Sequence, residues 1–331
     1  MIPEYINQWL ELIENMSNST TYKLAWGRSI IESIECDRYE KYDETTDKIN
    51  MIDIATNVLR YYWNQYYFFH LKQCGNNTNN KATIMEYVCQ LIEEYQYLVH
   101  DTYPVWFDIA LSKLEEEAKD ILDNAINKIA DCLLRNPYVY FKHLRKDIYY
   151  DIYEKTSDKK YLLIKHENVL NLKEYGYILS EILNYRWSQL LEDYNTAPKI
   201  TQKVNRISEN KIRRSSLKHF IKYLIEATDN KPIDFYTGEE LAKDNISVDH
   251  VIPWSFMYSD DIWNLVLTSK SNNSSKSNRI PTQKEIKLLN ERNNKLINII
   301  DDDKFKMDLK EAIDNHYVDK FYMSCRYDFK V

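Results

Sequence analysis

Glycine is scarce in this sequence, with four residues among 331. Nucleotide-binding folds of the Rossmann and P-loop kinds need glycine where a phosphate approaches the backbone, so the scarcity argues against both. No apolar run approaches the roughly 18 residues that cross a bilayer. The first residues, MIPEYINQWLELIENM, lack the basic segment and cleavage site of a signal peptide. They instead predict an amphipathic helix with one apolar face, formed by Ile6, Trp9, Leu10 and Ile13.

Cysteine is also sparse, with five residues that are far apart and never form a CxxC pair. This pattern argues against a disulfide scaffold and against a cysteine zinc site, so we expect no structural zinc. The small number and wide spacing of the cysteines fit a reducing cytoplasm best. Since no long apolar run is present, we expect no membrane partner. A hydrophobic fraction of 44% indicates a folded chain, long enough for two domains.

The net charge of −7 is divided unevenly along the chain. Residues 201–331 carry 22 basic against 20 acidic side chains, which leaves 22 against 31 in residues 1–200. Residues 201–222 hold seven of the basic residues and one glutamate. Such a stretch is either a solvated helix face or a phosphate-binding surface. The stretch comes shortly before the unusual segment at residues 249–281, which is described below. We therefore favour contact with nucleic-acid phosphates, made by Arg206, Arg213, Arg214 and Lys218.

Residues 1–200 have the periodicity of an almost entirely helical domain, and Pro198 marks its predicted end. The clearest helical spacing, in ALSKLEEEAKDILDNAINKIADCLL, is that of Leu111, Leu114, Ala118, Ile121 and Ala125. This seam is either core packing within the chain or a helical dimer interface. We therefore predict a mainly α protein whose second, smaller domain occupies residues 201–331.

The segment at residues 249–281, DHVIPWSFMYSDDIWNLVLTSKSNNSSKSNRIP, has little helical periodicity. ISVDHVIP alternates like a strand that ends in a loop, and WNLVLTS is typical of a second short strand. NNSSKSN can open a short helix with Asn or Ser at its cap. The order strand, loop, strand and short helix is sufficient to build a metal site.

Asp249 offers a carboxylate oxygen, and an asparagine at the helix start offers an amide oxygen. Mg²⁺ accepts such a small set of protein oxygens while it keeps several waters. Successive strand side chains point to opposite faces, so Asp249 and His250 can address opposite sides of one phosphodiester. A neutral imidazole could then take a proton from water. A lone histidine is more often structural, but the ordered occurrence of DH, WN and NSSK favours catalysis.

These motifs resemble the HNH endonuclease family, whose ββα-metal fold carries DH-x-x-P, a central Asn and a final Asn or His on the helix. DHVIPWSF, WNLV and NSSKSNRIP match this pattern. The segment is similar to the HNH domains of bacterial restriction-type enzymes and of RNA-guided CRISPR nucleases. The resemblance implies a metal-dependent deoxyribonuclease with its HNH core at residues 232–296.

The resemblance also implies a role for each matching residue. Asp249 and Asn273 would hold a single Mg²⁺, with Mn²⁺ as the alternative ion, and His250 would be the general base. Asn264 would bridge the loop through backbone hydrogen bonds and so orient His250. Lys276, one turn into the short helix, would contact a DNA phosphate.

The sequence departs from the family at the zinc site that braces many relatives. The four cysteine positions correspond here to Asp234, Thr237, Ser269 and Asn272. All four thiolates are missing together, as expected if the site was lost as a unit, because a partial site binds zinc poorly. Other packing must then replace the contribution of the metal to folding.

The N-terminal region resembles helical segments that precede HNH domains in bacterial restriction or phage-defence proteins, through STTYKLAWGRSIIES and YRWSQLLEDYNTAPKITQKV. The implied protein is a cytoplasmic defence nuclease whose residues 1–200 form a regulatory or recognition domain, with DNA as its substrate. It would act as a homodimer or with a defence-system partner protein. The alternative is a DNA-binding or partner-activated subunit whose HNH unit is inactive alone.

Overall fold

The computed structural model describes residues 2–75, 83–145, 148–205 and 216–329. The chain divides into two compact units, Met1–Asn195 with Ile200–Lys211, and Thr196–Lys199 with Ile212–Val331. Helix accounts for 63% of the described residues, which confirms the predicted mainly α class. No helix in these described ranges is both long enough and apolar enough to span a membrane.

The first unit is built mainly from helices. They are α1 (Glu4–Asn15), α2 (Tyr22–Glu35), α3 (Met51–Trp63), α4 (Thr83–Val99), α5 (Phe107–Glu117), α6 (Lys119–Arg135), α7 (Pro137–Tyr140), α8 (His166–Tyr194) and α9 (Ile200–Asn205). A π-helical segment, Asn64–Phe68, continues α3. The apolar face predicted for α1 is buried at Ile6, Trp9 and Ile13. Helix α8 ends four residues before Pro198, so the predicted helix break is confirmed.

Short strands interrupt the helices of the first unit. They are β1 (Glu40–Lys41), β2 (Thr46–Asn50), β3 (His143–Arg145), β4 (Ile148–Tyr149), β5 (Glu154–Lys155) and β6 (Tyr161–Lys165). Four of them form an antiparallel sheet in the order β1-β2-β6-β5, and β3 pairs with β4. The expectation that residues 1–200 are almost entirely helical was therefore wrong at these positions. Four of these strands are only two or three residues long, which is shorter than the roughly four residues over which an alternating pattern can be recognised.

The helix predicted around Leu111 is interrupted at Ala118. Its backbone leaves the helical region there, with φ −137° and ψ 32°, and separates α5 from α6. The break changes the phase of the apolar face, so Ile121 is 42% exposed while its neighbour Leu122 is buried. The buried residues of α6 pack against α3 and α4 inside the unit. Leu114, Ala118 and Ala125 of the predicted seam therefore belong to the core of the unit, and dimerisation stays a prediction.

The second unit combines short helices with one hairpin. Its helices are α10 (Ile221–Glu226), α11 (Trp254–Met257), α12 (Lys270–Lys276), α13 (Gln283–Leu296), α14 (Asp303–Asp314) and α15 (Tyr317–Asp328). Its strands are β7 (Ile246–His250) and β8 (Leu265–Ser269), which pair in an antiparallel hairpin. Both strands and the short helix after them confirm the elements predicted from the motif.

Helix α13 supports the connection between the two strands. Arg292 donates through both terminal nitrogens to the Ile262 carbonyl, at 3.1 and 3.2 Å. Asn293 Nδ2 donates to the Trp263 carbonyl at 2.9 Å. These bonds satisfy carbonyl groups in the 3-10 turn Ile262–Asn264, which directly precedes β8. The loop that follows His250 is therefore held at its far end by a neighbouring helix.

Candidate active site

The hairpin places Asp249 and His250 at the end of β7. Asp249 pairs with Val266, and His250 pairs with Leu265. Both residues are 7% exposed, and as neighbours on one strand their side chains point to opposite faces. The end of β7 therefore carries a largely buried carboxylate on one face of the hairpin and a largely buried imidazole on the other.

Asn264 fastens the turn that leaves β7. Its amide Nδ2 donates to the Ile252 carbonyl at 2.8 Å, and its Oδ1 accepts from the Ile252 N–H at 2.8 Å. The Val251 N–H also donates to the Asn264 carbonyl at 2.9 Å. Asn264 is fully buried, so these bonds satisfy an amide that would otherwise be costly to bury. The backbone beside His250 is fixed on both sides of the turn.

Helix α12 brings Asn273 next to β7. The helix begins earlier than the NNSSKSN stretch predicted, because the Ser269 side chain accepts a hydrogen bond from the Asn272 N–H and caps it. Asn273 Nδ2 donates to Ser247 Oγ at 2.8 Å and to the Val248 carbonyl at 3.3 Å. The amide nitrogen is thus engaged by the strand, which leaves Oδ1 as the atom that could bind a cation.

The oxygens of Asp249 and Asn273 fit a magnesium ion, because Mg²⁺ prefers hard oxygen ligands and takes one or two of them from protein. The described residues contain no group of three or more His, Cys, Asp or Glu side chains arranged to hold a metal. A set of one carboxylate and one amide is compatible with that finding, since an amide oxygen lies outside those residue types. The donor set is unsuited to zinc, which favours nitrogen and sulfur.

Two hydrogen-bond donors already contact the Asp249 carboxylate. Lys276 Nζ lies 3.0 Å from Asp249 Oδ2, and the Tyr236 hydroxyl donates to the same oxygen at 2.5 Å. Lys276 Nζ also donates to the His250 carbonyl at 2.5 Å. Burial lowers the pKa of the Lys276 ammonium, and the nearby carboxylate opposes that shift. Burial and the Asp249 carboxylate together raise the pKa of the Tyr236 phenol.

Lys276 is 6% exposed, a placement that the sequence did not predict. The sequence suggested a residue reaching outward to a phosphate, whereas the side chain lies inside the site and contacts Asp249. Its role as a phosphate contact stays a prediction. Lys218, by contrast, is exposed at the start of the second unit. Arg206, Arg213 and Arg214 lie outside the described residues.

Two further residues near the site escaped the sequence analysis. Asp260 Oδ1 lies 3.0 Å from His250 Nε2, across the loop between the strands. Arg279 forms a bidentate pair with Glu285, at 2.6 and 3.2 Å, and its charge acts on Asp249 and Tyr236. The sequence features that could have pointed to these two residues were the acidic doublet in MYSDDIW and the arginine in KSNRIP. Neither doublet nor arginine is diagnostic, because loop residues of these types are usually solvated.

The four positions that the resemblance aligns with zinc-binding cysteines of relatives surround one carboxylate, that of Asp234. Asp234 is 1% exposed and lies in a turn with Gly238 at φ +77°. It accepts five hydrogen bonds at 2.8 to 3.2 Å, from Tyr236 N, Thr237 N, Thr268 Oγ1, Ser269 N and Asn272 Nδ2. A hydrogen-bonded carboxylate therefore joins the turn before β7 to the start of α12, where a zinc ion would join them in those relatives.

Comparison with known proteins found two family matches. Residues 234–282 match the HNH endonuclease family, and this range includes the hairpin, Asn264 and the whole of α12. Residues 6–210, more than half of the chain, match a family described as Domain of unknown function (DUF8808). Neither the curated proteins nor the solved structures gave a match. The chain therefore belongs to the DUF8808 family and carries an HNH endonuclease domain, which indicates a nuclease that acts on DNA.

Proposed function

We propose that this protein is a metal-dependent endonuclease that hydrolyses DNA phosphodiester bonds in restriction or anti-phage defence. The observation that carries the proposal is that β7 holds Asp249 and His250 while Asn273 of α12 bonds to the same strand, all inside the segment that matches HNH endonucleases. Asp249 and Asn273 would hold one Mg²⁺ ion, with Mn²⁺ as the alternative. Bound there, the ion would stabilise the charge that develops on the phosphate and on the leaving oxygen.

The protein residues supply the remaining parts of the reaction. His250 takes a proton from the attacking water as general base, which contributes roughly 10²- to 10⁴-fold to such reactions. Asn264 holds the backbone of the loop so that the imidazole keeps its direction. Arg279, held by Glu285 beside the site and partly exposed, is placed to meet a DNA phosphate. The Glu285 contact fixes its planar guanidinium before substrate arrives.

A second candidate function is a DNA-binding subunit whose HNH unit cuts only after a partner activates it. The contact of Lys276 with Asp249 favours this candidate, because a buried cation already neutralises the carboxylate that would bind Mg²⁺. Activation would then have to move Lys276 away from Asp249. In this candidate, residues 1–200 would have the regulatory or recognition role. Their excess of acidic over basic side chains makes them unsuited to attract DNA by charge.

A nicking assay with supercoiled plasmid separates the two candidates. The full chain is incubated with Mg²⁺, with Mn²⁺ and with EDTA, and the catalytic variant His250→Ala is run beside it. Nicking that requires the metal and disappears in the variant supports the endonuclease. DNA binding without nicking in either metal would reject the autonomous enzyme in favour of the partner-activated subunit. Nicking that survives in EDTA would reject metal dependence.

A further inference from the structure

The imidazole of His250 makes a hydrogen bond that identifies its reactive nitrogen. Within the described part of the chain, the ring is bonded through Nε2, which lies 3.0 Å from Asp260 Oδ1. An ionised carboxylate can only accept a hydrogen bond, so Nε2 must carry the hydrogen. In a neutral imidazole the other nitrogen is then unprotonated. Nδ1 is therefore the atom with a lone pair available to accept a proton from water.

The loop around Asp260 is fixed at several points. Tyr258 ends α11 in the left-handed conformation, with φ +54°. The Asn264 N–H donates to the Asp261 carbonyl at 2.9 Å, and Asn264 ties the other end of the loop to Ile252. Asp260 thus stands opposite His250 on a short loop whose two ends are joined. The His250 side chain is 9% exposed and that of Asp260 29%, so the pair is partly shielded from water.

We propose that Asp260 is the positioning residue of His250. Its carboxylate holds the Nε2–H tautomer and the direction of the ring, and it stabilises the imidazolium that forms when Nδ1 takes the proton. A base oriented in this way by a third group is a recurrent arrangement in enzymes. The proposal rests on the endonuclease function proposed above, because it assigns the base of that reaction. In this role Asp260 acts through His250.

The chain offers a matched control in the next residue. Asp261 has the same side chain and lies in the same loop, but its carboxylate accepts a hydrogen bond from the Ser259 hydroxyl. Replacing Asp261 by Ala therefore removes one loop carboxylate without removing the partner of His250. A general effect of loop charge would appear in both variants, whereas a positioning role would appear in Asp260 variants alone.

The test compares Asp260→Ala, Asp260→Asn and Asp261→Ala in the full chain. Nitrogen NMR of protein labelled with ¹⁵N-histidine reports the tautomer, with His250→Ala used to assign the signal. The wild type and Asp261→Ala should show the Nε2–H form, and Asp260→Ala should show a mixture. Asp260→Asn retains an acceptor oxygen and should keep the Nε2–H form. The Nδ1–H form in the wild type would overturn the proposal, whether or not the protein cuts DNA.

Plasmid nicking provides the second readout. Asp260→Ala should lower kcat by roughly 10- to 100-fold, as loss of an orienting partner usually does, with KM for DNA unchanged. Asp260→Asn should recover part of this loss, and Asp261→Ala should cut like the wild type. Equal losses in Asp260→Ala and Asp261→Ala would overturn the proposal. A wild-type protein that does not nick DNA but shows the Nε2–H tautomer would reject the proposed function and leave the Asp260–His250 contact established.

Discussion

Two aspartates of the second unit are buried within the same small domain, yet their surroundings differ. Asp234 uses both carboxylate oxygens to accept five hydrogen bonds, three of them from backbone N–H groups. The contacts of Asp249 with Tyr236 and Lys276 both fall on Oδ2. Asp234 is thus held largely by the backbone of the turn and of the helix start. Asp249 is held by two side chains, neither of which is backbone.

The two aspartates also differ in how their negative charge is balanced. Hydrogen bonds to its ionised form, from Ser269 N and Asn272 among others, hold the pKa of Asp234 below its usual range although burial opposes this. Asp234 is thus stable as a permanent anion that organises the backbone. Asp249 instead balances the charge of Lys276, and a cation of higher charge could compete for that carboxylate. Both are buried, so burial alone does not distinguish Asp234 from the proposed metal ligand Asp249.

The largest expected effect follows from removing the base beside Asp249. His250→Ala should lower the rate of DNA cleavage by roughly 10²- to 10⁴-fold. The fold and the affinity for DNA should be nearly unchanged, since the imidazole is not among the groups that hold the backbone of the loop. Cleavage kinetics and a binding titration measure the two quantities. His219→Ala is the control, because His219 is exposed and bonds to the Ser216 carbonyl. Wild-type cleavage by His250→Ala would exclude the proposed mechanism.

Removing the Asp234 carboxylate should mainly cost stability. Asp234→Ala leaves five donors without this acceptor, three of them backbone N–H groups. Each buried unpaired group costs about 1–3 kcal/mol, so we expect a loss of at least about 3 kcal/mol. Denaturant unfolding measures this loss. Glu239→Ala, an exposed residue of the same turn, should have little effect. A variant as stable as the wild type would show that the five hydrogen bonds do not replace the zinc contribution.

The Asp249 carboxylate should bind metal more tightly once its internal cation is removed. Lys276→Met eliminates a positive charge 3.0 Å from Asp249 Oδ2. Since a close charge contributes at least about 1 kcal/mol, the Mg²⁺ dissociation constant should fall by on the order of tenfold. Isothermal titration with Mg²⁺ measures it without reference to cleavage. Lys270→Met, at the exposed start of the same helix, is the control. Weaker metal binding by Lys276→Met would mean that Lys276 helps to build the metal site.

The unfolding free energy should depend on pH more strongly in the wild type than in a variant with a neutral side chain at position 234. The pKa of this carboxyl is lower in the folded protein than in the unfolded chain, so its stabilising contribution is present at neutral pH. That contribution is lost as the pH falls below about 4 and through the folded pKa. Asp234→Asn lacks the titrating group, so its unfolding free energy should change less between pH 7 and pH 3. Parallel pH profiles of the two proteins would contradict this.

The smallest effect concerns the basic stretch. If Arg206, Arg213, Arg214 and Lys218 neutralise DNA phosphates, replacing all four with Gln should weaken binding to every DNA sequence alike. The slope of log K against log salt should become shallower by roughly 0.9 for each lost duplex contact. A salt titration of DNA binding measures the slope. An unchanged slope would mean that the stretch does not contact DNA phosphates and is instead a solvated helix face.

The elements of the HNH segment were predictable because their signals are local. The alternation in ISVDHVIP, the short apolar run in WNLVLTS and the polar helix start each depend on neighbours in sequence. The strands of the first unit were missed because β2 pairs with β6 more than a hundred residues away. The break at Ala118 was missed as well, since alanine is a favourable helix residue and only tertiary packing overrides its preference there.

The sequence by itself determined the mainly α class, the hairpin and short helix at residues 246–276, and the spacing that matches HNH endonucleases. Only the tertiary structure decided that Lys276 turns inward to Asp249, that Asp260 faces His250, and that Asp234 accepts a hydrogen bond from Asn272. The physical reason is that strand and helix signals come from the order of residues. The partner of a buried charge depends on which distant side chain can reach it once the chain has folded.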